Sequence, residues 1–361
     1  MFDASFDAMG FPVLQEKCFT TSEEVEWRRL LPASRSVFGS VEYARICERF
    51  RGSVARLYVL KSDTASICHP MLLRPVSDLP FVAEVEGQWD STTPDFTGPL
   101  VQGSDSNLMA RFRDCHSAFT RSQGIIAEFA HLHPWSDGLN MLREDCTYNR
   151  DIIWIDVAES PDILFRDHFE HSCRKNINKA QREGVSIFTE ASDDALQEFY
   201  RIYSGTMQRN QALEKYSFPL EFFKQIRDDF PENARFVFAE HGGKIIAATL
   251  YMYDDKDVFS FLGGADSEFN HLRPTNMVVW NTVIWAHSTG RKRLVLGAGF
   301  RPNDGIFQFK ATFSSLRQPF YVYKQVHRQK DYTLLEQRCR EYNNMGDVNV
   351  DYFPSYRYVA H

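Results

Sequence analysis

Glycines and a basic segment mark two neighbouring places in the sequence where a carbonyl or an anion could be held. Gly263-Gly264 ends a hydrophobic run, and glycine at a strand end lets a ligand approach the backbone closely. Arg273 follows and directly precedes a predicted helix, whose N-terminal amides attract anions. A strand end before a turn, or a loop that caps a helix, would explain the same residues without a ligand. The candidates for a pyrophosphate site are Gly263, Arg273, Thr275 and Asn276.

Two cationic side chains lie next to apolar helix faces. Phe309 and Phe313 are four residues apart and share one face of a short predicted helix, so Lys310 projects from the neighbouring face. Its ammonium is a compact point charge that suits an anionic partner. Arg209 lies off the apolar face of a longer predicted helix, and its planar guanidinium matches the geometry of phosphate. Each cation could instead be an ordinary solvated surface charge.

No motif for a covalent mechanism or for a strong general base is apparent. The sequence lacks the Gly-x-Ser-x-Gly pattern of a serine nucleophile. Asp266, Glu268 and His271 lie near the glycine pair and are the candidates for proton transfer. A substrate amine with a lowered pKa needs no strong base, so a substrate-assisted reaction also stays open.

The same order of elements occurs twice along the chain. The first copy consists of a helix near Ser40, a β-hairpin at 55–73, a helix at 107–123 and a strand at 125–130. The second copy consists of a helix at 193–211, a hairpin at 235–253, a helix at 276–288 and a strand at 293–297. Residues 77–107, rich in Asp, Thr, Pro, Gly and Ser, are predicted to form long loops. The repetition indicates an internally duplicated α/β protein, although one large α/β domain would also account for it.

Several segments of the second half resemble the motifs of the Fem family, which are peptidoglycan-bridge aminoacyltransferases built from two GNAT units. They are Asn176–Val185, which is similar to N-I-x-K-A-x-x-x-G-V, Tyr203–Arg209, which is similar to Y-x-x-T-M…R, Phe261–Asp266 at the end of the central strand, and Leu296–Gly299 with Asp304–Phe313, which match L-G-G…L-x-x-F-K-x-x-F. The resemblance covers about residues 150–326. FdhC-type amino-sugar N-acyltransferases share this build.

The resemblance implies a fold and a division of the chain. The expected fold class is α/β (α+β), with two tandem GNAT-like units, each a twisted mixed sheet flanked by helices. The first unit is expected to span 1–150, with 330–361 returning to it. The second unit, 151–329, is expected to carry the Fem-like motifs.

The resemblance also implies an N-acyltransferase in which an amine attacks the donor carbonyl directly. A backbone amide near Gly264, where the central strand splays, would stabilise the oxyanion, typically by about 3–4 kcal/mol. Lys310, beside Phe309, would contact the donor phosphate or the charged intermediate, with Asp266 at the same site. Arg209 would contact a diphosphate on the acceptor. The candidates from the first unit, which would help to form the acceptor cleft, are Arg74 and Trp89.

One departure from the GNAT pattern leaves the donor open. The glycine-rich pyrophosphate loop Q/R-x-x-G-x-G/A would precede the helix at 276, but residues 266–275 contain no glycine. Fem-like proteins also lack this loop, and the amino-sugar enzymes share the Fem-like build yet use acyl-CoA, so the missing loop does not settle the donor. The net charge of −7 favours acyl-CoA over tRNA, since basic surface helps tRNA binding. Acyl-CoA is therefore the first expected co-substrate, with an amino sugar or another nucleotide- or carrier-linked primary amine as acceptor. Aminoacyl-tRNA is the second candidate donor, and a non-catalytic nucleotide-sugar-binding module is the third hypothesis.

Composition limits the other function classes. The 361 residues carry a net charge of −7 with a pI of about 5.9, which argues against a protein that coats nucleic acid, so DNA is not an expected partner. No stretch of about 18 apolar residues predicts a transmembrane helix. The seven cysteines are scattered without a CxxC pair, which indicates a reducing compartment, here the cytoplasm, and no disulfide or zinc framework. His131-x-His133 has no third ligand nearby, so neither a metal nor a permanently bound cofactor is expected.

Overall fold

The computed structural model describes residues 14–82, 88–211, 216–344 and 352–358. These residues belong to two compact units, each of them discontinuous along the chain. Unit 1 comprises Met1–Pro32, Phe38–Asn149 and Phe320–His361, and unit 2 comprises Ala33–Val37 and Arg150–Pro319. The mixed α/β class that the sequence predicts, with sheets flanked by helices, is confirmed.

Unit 1 combines a sheet with helices from both ends of the chain. Its strands are β1 (Gln15–Phe19), β2 (Val54–Lys61), β3 (Ala65–Pro75), β4 (Trp89–Thr92), β5 (Leu100–Gly103), β6 (Ile125–His131) and, from the end of the chain, β13 (Arg317–Val326). Its helices are α1 (Glu24–Leu30), α2 (Val41–Arg51), α3 (Ser106–Ser122), α4 (Asp137–Leu142) and α11 (Gln329–Tyr342).

The strands of unit 1 follow the order β1-β2-β3-β4-β6-β13, and β5 pairs with a second stretch of β3. Neighbouring strands are antiparallel except β4 and β6, which are parallel. Val322–Val326 of β13 pair with Ala127–His131 of β6. The segment after residue 319 therefore supplies a strand that unit 1 needs to complete its sheet.

Unit 2 contains the elements that carry the Fem-like motifs. Its strands are β7 (Cys146–Asp156), which begins in unit 1, β8 (Ser186–Thr189), β9 (Ala234–His241), β10 (Lys244–Tyr253), β11 (Asp257–Ala265) and β12 (Arg293–Gly297). Its helices are α5 (Pro161–Ile163), α6 (His171–Arg182), α7 (Asp193–Arg209), α8 (Leu220–Asp229), α9 (Pro274–Ser288) and α10 (Gly305–Ala311).

The strands of unit 2 follow the order β7-β12-β11-β10-β9-β8. Only β11 and β12 are parallel, and α9 connects them. Helix α7 packs against β10 and β11 through an apolar face that includes the buried Leu196, Phe199 and Tyr203. Its first turn is capped by Ser192, whose hydroxyl accepts a hydrogen bond from the amide of Ala195. The apolar face of α7 thus fixes the helix against β10 and β11.

Two parts of the sheet differ from the sequence prediction. Residues 77–107 were expected to form long loops, and this expectation is wrong, because the segment contributes β4 and β5. Both strands are only four residues long, so they are too short to show a clear alternating pattern. Strand β7 was also not predicted. Its first half is exposed and polar, so the short apolar run that ends at Ile155 does not stand out as a strand pattern.

Two further properties concern the whole described chain. Among the described residues, no helix combines the length and apolar character needed to cross a membrane. All seven cysteines lie in the described residues, and none of them forms a disulfide.

Candidate functional site

The two central strands of unit 2 diverge and leave a gap in the sheet. β11 and β12 pair only through Asp257–Phe259 and Arg293–Val295. Arg293 stabilises this paired end of the two strands by donating hydrogen bonds of 2.5 and 2.9 Å to the two carboxylate oxygens of Asp257. Farther on, β11 continues along β10, whereas β12 continues along β7. We call the gap between residues 260–265 and 296–297 the wedge. Diverging strands present backbone groups that a ligand can pair with.

The glycine pair at the end of β11 is required by close packing. A Cβ atom on Gly264 would lie 2.2 Å from Oγ1 of Thr206 and 3.0 Å from the carbonyl oxygen of Ile202, both on α7. A Cβ atom on Gly263 would lie 2.5 Å from the carbonyl oxygen of Ala248 on β10. The two glycines therefore allow β11 to lie directly against α7 and β10, and this packing fixes one side of the wedge.

Thr206 and Arg209 hold the last residue of β11 in place. Oγ1 of Thr206 accepts a hydrogen bond of 3.3 Å from the amide of Ala265 and donates one of 2.9 Å to the carbonyl of Ile202. Arg209 donates through Nη2 to the carbonyl of Ala265 at 3.0 Å. The exposed Arg209 thus anchors the strand end, and its contact with an acceptor diphosphate stays a prediction. This anchoring role of Thr206 was not predicted from the sequence, although the residue is part of the motif at 203–209.

Asp266 is an ion-paired carboxylate at the same strand end. Its Oδ2 lies 3.0 Å from Nζ of Lys244, and its Oδ1 accepts a hydrogen bond of 3.2 Å from the amide of Glu268. Burial raises the pKa of Asp266, but the hydrogen bonds from Lys244 and from the Glu268 amide outweigh this effect and leave the pKa below its usual range. A carboxylate of lowered pKa is a weak base, so these contacts favour a positioning role over proton abstraction.

The predicted pyrophosphate segment folds into a short 3-10 helix, Ser267–Leu272, instead of an open loop. Arg273 follows it in the left-handed conformation (φ 62°) and is exposed directly before Pro274, the first residue of α9. Thr275 is half-buried, whereas Asn276 is buried and donates to the Sγ atom of Cys173 at 3.9 Å. Of these predicted anion-binding residues, only Arg273 has a side chain at the surface.

Asp304 builds the loop and helix that carry Lys310. Its Oδ1 accepts a hydrogen bond of 2.8 Å from the amide of Phe307, and its Oδ2 accepts bonds of 2.7 and 2.9 Å from the amides of Phe300 and Arg301. A Cβ atom on Gly299 would lie 2.0 Å from Oδ1, so only glycine fits there. This positioning role of Asp304 was not predicted from the sequence, although an aspartate directly before a helix is a capping signal.

Lys310 lies at the end of β12, on the other side of the wedge. Phe309 packs against the core of unit 2 and contacts Phe313 at a ring-centroid distance of 5.4 Å, as the spacing predicts. The ammonium of Lys310 donates a hydrogen bond of 2.7 Å to the carbonyl of Ala298 and lies 3.6 Å from the position of a Cβ atom on Gly297. Its burial lowers the pKa of Lys310 to about 8, although the nearby Asp304 opposes this shift. The side chain is half-buried, and in this respect it differs from an ordinary solvated lysine.

This lowered pKa predicts an alkaline limit of activity. If the ammonium form is required, the rate at saturating substrate falls as the pH rises through about 8, because the proton on Lys310 is lost there. Lys310→Arg should move this limit to higher pH, since a guanidinium stays charged. The measurement is the pH profile of kcat for both proteins. An alkaline limit at the same pH in both would contradict this assignment.

The two candidates from unit 1 have structural partners. Asp90 is fully buried, and its Oδ1 accepts a hydrogen bond of 2.6 Å from Nε of Arg74, while its Oδ2 accepts one from Nε of Arg357. Trp89 lies in β4 and packs, partly buried, against the core of unit 1. Arg74 and Trp89 thus belong to unit 1, whereas the candidates from 206 to 310 belong to unit 2. Their role in an acceptor cleft stays a prediction.

Removing the carboxylate of Asp90 tests whether Arg74 has a structural role or an acceptor-binding role. Asp90→Asn is expected to lower the free energy of unfolding by about 2 kcal/mol, because two guanidinium groups lose their anion but are partly exposed and can regain water. Denaturant unfolding measures this change. Asp114→Asn, at an exposed position of α3, serves as the control and should change stability by less than about 0.5 kcal/mol. Unchanged stability in Asp90→Asn together with a raised acceptor KM would instead assign Arg74 to binding.

Known proteins resemble this chain in sequence and in fold. Residues 167–310 match a family model described as an acetyltransferase (GNAT) domain. The UDP-N-acetylmuramoylpentapeptide-lysine N(6)-alanyltransferase of Weissella viridescens is 22% identical over 238 residues, which cover 60% of this chain and 69% of that protein.

Two solved structures resemble the chain over most of its length. The crystal structure of FemX has a TM-score of 0.66 at 13% identity and covers 89% of this chain and 99% of its own. The C-terminal domain (DUF2156) of a putative lysylphosphatidylglycerol synthetase from Agrobacterium fabrum has a TM-score of 0.53 at 13% identity and covers 89% and 98%. The resemblance that the motifs indicated is confirmed: this chain is an acyltransferase with a GNAT domain at residues 167–310, it consists of two compact units, and it resembles the Fem family.

Proposed function

We propose that this acyltransferase transfers an aminoacyl group from aminoacyl-tRNA to a primary amine on a carrier-linked acceptor, such as a peptidoglycan precursor. The observation that carries the proposal is the 22% identity over 238 residues to an alanyltransferase named for a lysine acceptor. The segment between β11 and α9 agrees with it. It contains no glycine, forms a 3-10 helix and ends at Arg273, so it lacks the run of glycine-flanked amides that would wrap the diphosphate of coenzyme A. The alanyl group in the name of that relative is an aminoacyl group, and its lysine acceptor is a primary amine on a UDP-linked peptide.

The reaction would proceed by direct attack within the wedge. The neutral acceptor amine attacks the ester carbonyl of the aminoacyl group, and a backbone amide of β11 near Gly264 donates a hydrogen bond to the oxyanion. The new C–N bond forms, the ester C–O bond breaks, and the ribose hydroxyl of the tRNA leaves. Holding amine and ester together supplies much of the rate enhancement.

Lys310 is the proposed source of positive charge and of the proton for the leaving oxygen. Its ammonium lies at the end of β12 with a pKa of about 8, so it is charged near neutral pH yet can release a proton. The amine loses its proton to solvent after attack, the leaving alkoxide gains one from Lys310, and Lys310 then regains a proton from solvent. With Asp266 engaged by Lys244, the acceptor amine enters in its neutral form without a protein base.

The second candidate donor is acyl-CoA, with an amino sugar as a candidate acceptor. It is favoured by the match of residues 167–310 to an acetyltransferase domain. The chemistry at the wedge would be the same, except that a thioester C–S bond breaks and a thiolate leaves.

A paired donor assay tests the proposal. Purified full-length protein is incubated with radiolabelled mixed aminoacyl-tRNA and a UDP-linked muramoyl pentapeptide, and in parallel with acetyl-CoA and amino-sugar acceptors. Aminoacylated peptide that disappears after RNase treatment supports the proposal. Acetyl transfer that RNase leaves unchanged, without aminoacyl transfer, replaces it by the second candidate. Reactions without the protein provide the background for both arms, and no transfer above that background in either arm contradicts both.

A further inference from the structure

A group of histidines surrounds one carboxylate in the core of unit 1. His69 comes from β3, His116 from α3, Glu128 from β6, and His327 directly follows β13. Their exposed fractions are 2%, 3%, 1% and 7%. The four side chains come from four separate elements, so no local spacing in the sequence marks them as a set.

The donor atoms of these side chains are close together. Nε2 of His69 lies 2.6 Å from Oε1 of Glu128, and Nε2 of His327 and Nδ1 of His116 lie 3.2 and 3.7 Å from Oε2. The donor atoms of His69, His116 and Glu128 all lie within 4.8 Å of one another. Donor atoms around a tetrahedral zinc ion, with bonds of about 2.0–2.1 Å, lie about 3.3 Å apart. Small side-chain shifts would therefore bring these three side chains around one ion, with His327 in contact with the carboxylate.

Hydrogen bonding alone leaves this cluster incomplete. The distance of 3.7 Å from Nδ1 of His116 to the carboxylate is too long for a hydrogen bond. Nε2 of the same imidazole is buried and has no hydrogen-bond partner among the described residues. Such a buried polar ring is costly unless it is bound. A metal ion bound to Nδ1 would give that nitrogen the partner that the carboxylate at 3.7 Å does not supply, while Nε2 would keep its unpaired position.

The surroundings of Glu128 also favour a cation. Phe112 stacks on the His116 ring at 5.3 Å, and Tyr58 contacts it at 5.1 Å, so the carboxylate lies in an apolar core. Within the described residues, its ion-pair partners are the three imidazoles and include no lysine or arginine. An anion in apolar surroundings needs a compensating positive charge.

We propose that His69, His116 and Glu128 bind one divalent transition-metal ion in unit 1, with zinc as the preferred metal, and that His327 positions Glu128. Two imidazoles and one carboxylate are a donor set that suits zinc among the first-row metals. The three ligands are at most 3% exposed, so a substrate has no access to the ion and its role is structural. Through Glu128, the ion also holds His327, which comes from the segment after residue 319. The expectation of no metal, drawn from neighbouring residues only, did not test this set.

Metal content and stability of the untagged full-length protein test the site. After dialysis against metal-free buffer without chelator, elemental analysis is expected to find about one zinc ion per chain. A strong chelator should lower the melting temperature, and added zinc should restore it, because metal binding is coupled to folding. Cobalt(II) in place of zinc should give the visible absorption bands of a tetrahedral site. Absence of bound metal, or a melting temperature that the chelator leaves unchanged, overturns the proposal.

Matched variants locate the ion. Glu128→Gln and His116→Gln keep polar groups of similar size and are expected to reduce metal affinity about 10-fold or more. His168→Gln, at an exposed position of unit 2, is the control and should retain the wild-type content. Full metal content in both cluster variants would place the ion elsewhere and overturn the assignment. If the variants do not fold, the cobalt spectrum of the wild-type chain decides, and a spectrum without tetrahedral bands contradicts the site.

Discussion

Lys310→Ala is expected to lower the rate of acyl transfer by about 100- to 1,000-fold, the usual effect of removing one group that stabilises developing negative charge. The ammonium lies at the end of β12 and is held by the carbonyl of Ala298, so its loss removes charge from one side of the wedge. Its half-buried position makes this charge more effective than one in open solvent. The measurement is kcat at saturating donor and acceptor.

The structure offers a matched control for this substitution. Lys256 is exposed in the turn between β10 and β11, at the opposite end of β11 from the glycine pair. Lys256→Ala should leave kcat unchanged within about twofold, since a surface substitution away from the site has little effect. Lys310→Arg should keep part of the activity because it retains the charge but not the compact shape. Equal rates for Lys310→Ala and Lys256→Ala would remove Lys310 from the mechanism.

Gly264→Val is expected to lower the rate of transfer by about 100-fold and the free energy of unfolding by about 3 kcal/mol. Its Cβ atom would lie 2.2 Å from Oγ1 of Thr206 and 2.7 Å from its Cβ, so β11 and α7 must separate. Such a shift displaces the strand whose backbone is proposed to bind the oxyanion. Steady-state kinetics and denaturant unfolding measure the two effects.

Gly205 is the matched control, because it is the neighbour of Thr206 on the same helix. A Cβ atom there would have no neighbour within 4 Å. Gly205→Ala should raise stability by about 0.5–1 kcal/mol, as expected for glycine replaced in a helix interior, and leave the rate unchanged. If Gly264→Val retained both stability and rate, the close contact between β11 and α7 would be wrong.

The sequence predicts those parts of the site that depend on local patterns. The hairpin of β9 and β10, the apolar face of α7 and the short helix with Phe309, Lys310 and Phe313 all follow from residue spacing. The capped start of α10 at Asp304 is also local. These features form because residues close in the chain interact, so a pattern in one segment is enough to indicate them.

The remaining features depend on residues that are distant in the chain. The wedge results from how far β11 and β12 pair, and neither strand alone encodes that register. The need for glycine at position 264 comes from Thr206 on another element, although the sequence had suggested a ligand there. The cluster around Glu128 combines side chains from four elements. Spacing along one segment carries no information about such contacts.

The discontinuity of unit 1 has a consequence for how the protein is made. Chains emerge from the ribosome N-terminal end first, so residues 150–319 are complete before β13 and His327 are synthesised. Unit 2 can therefore fold while the nascent chain is growing, whereas β6 waits for its antiparallel neighbour until translation reaches Val322–Val326. During this interval β6 presents an unpaired backbone edge, which is a template for aggregation. Premature termination before residue 320 would thus leave unit 2 joined to an N-terminal segment in which the β6 edge stays unpaired.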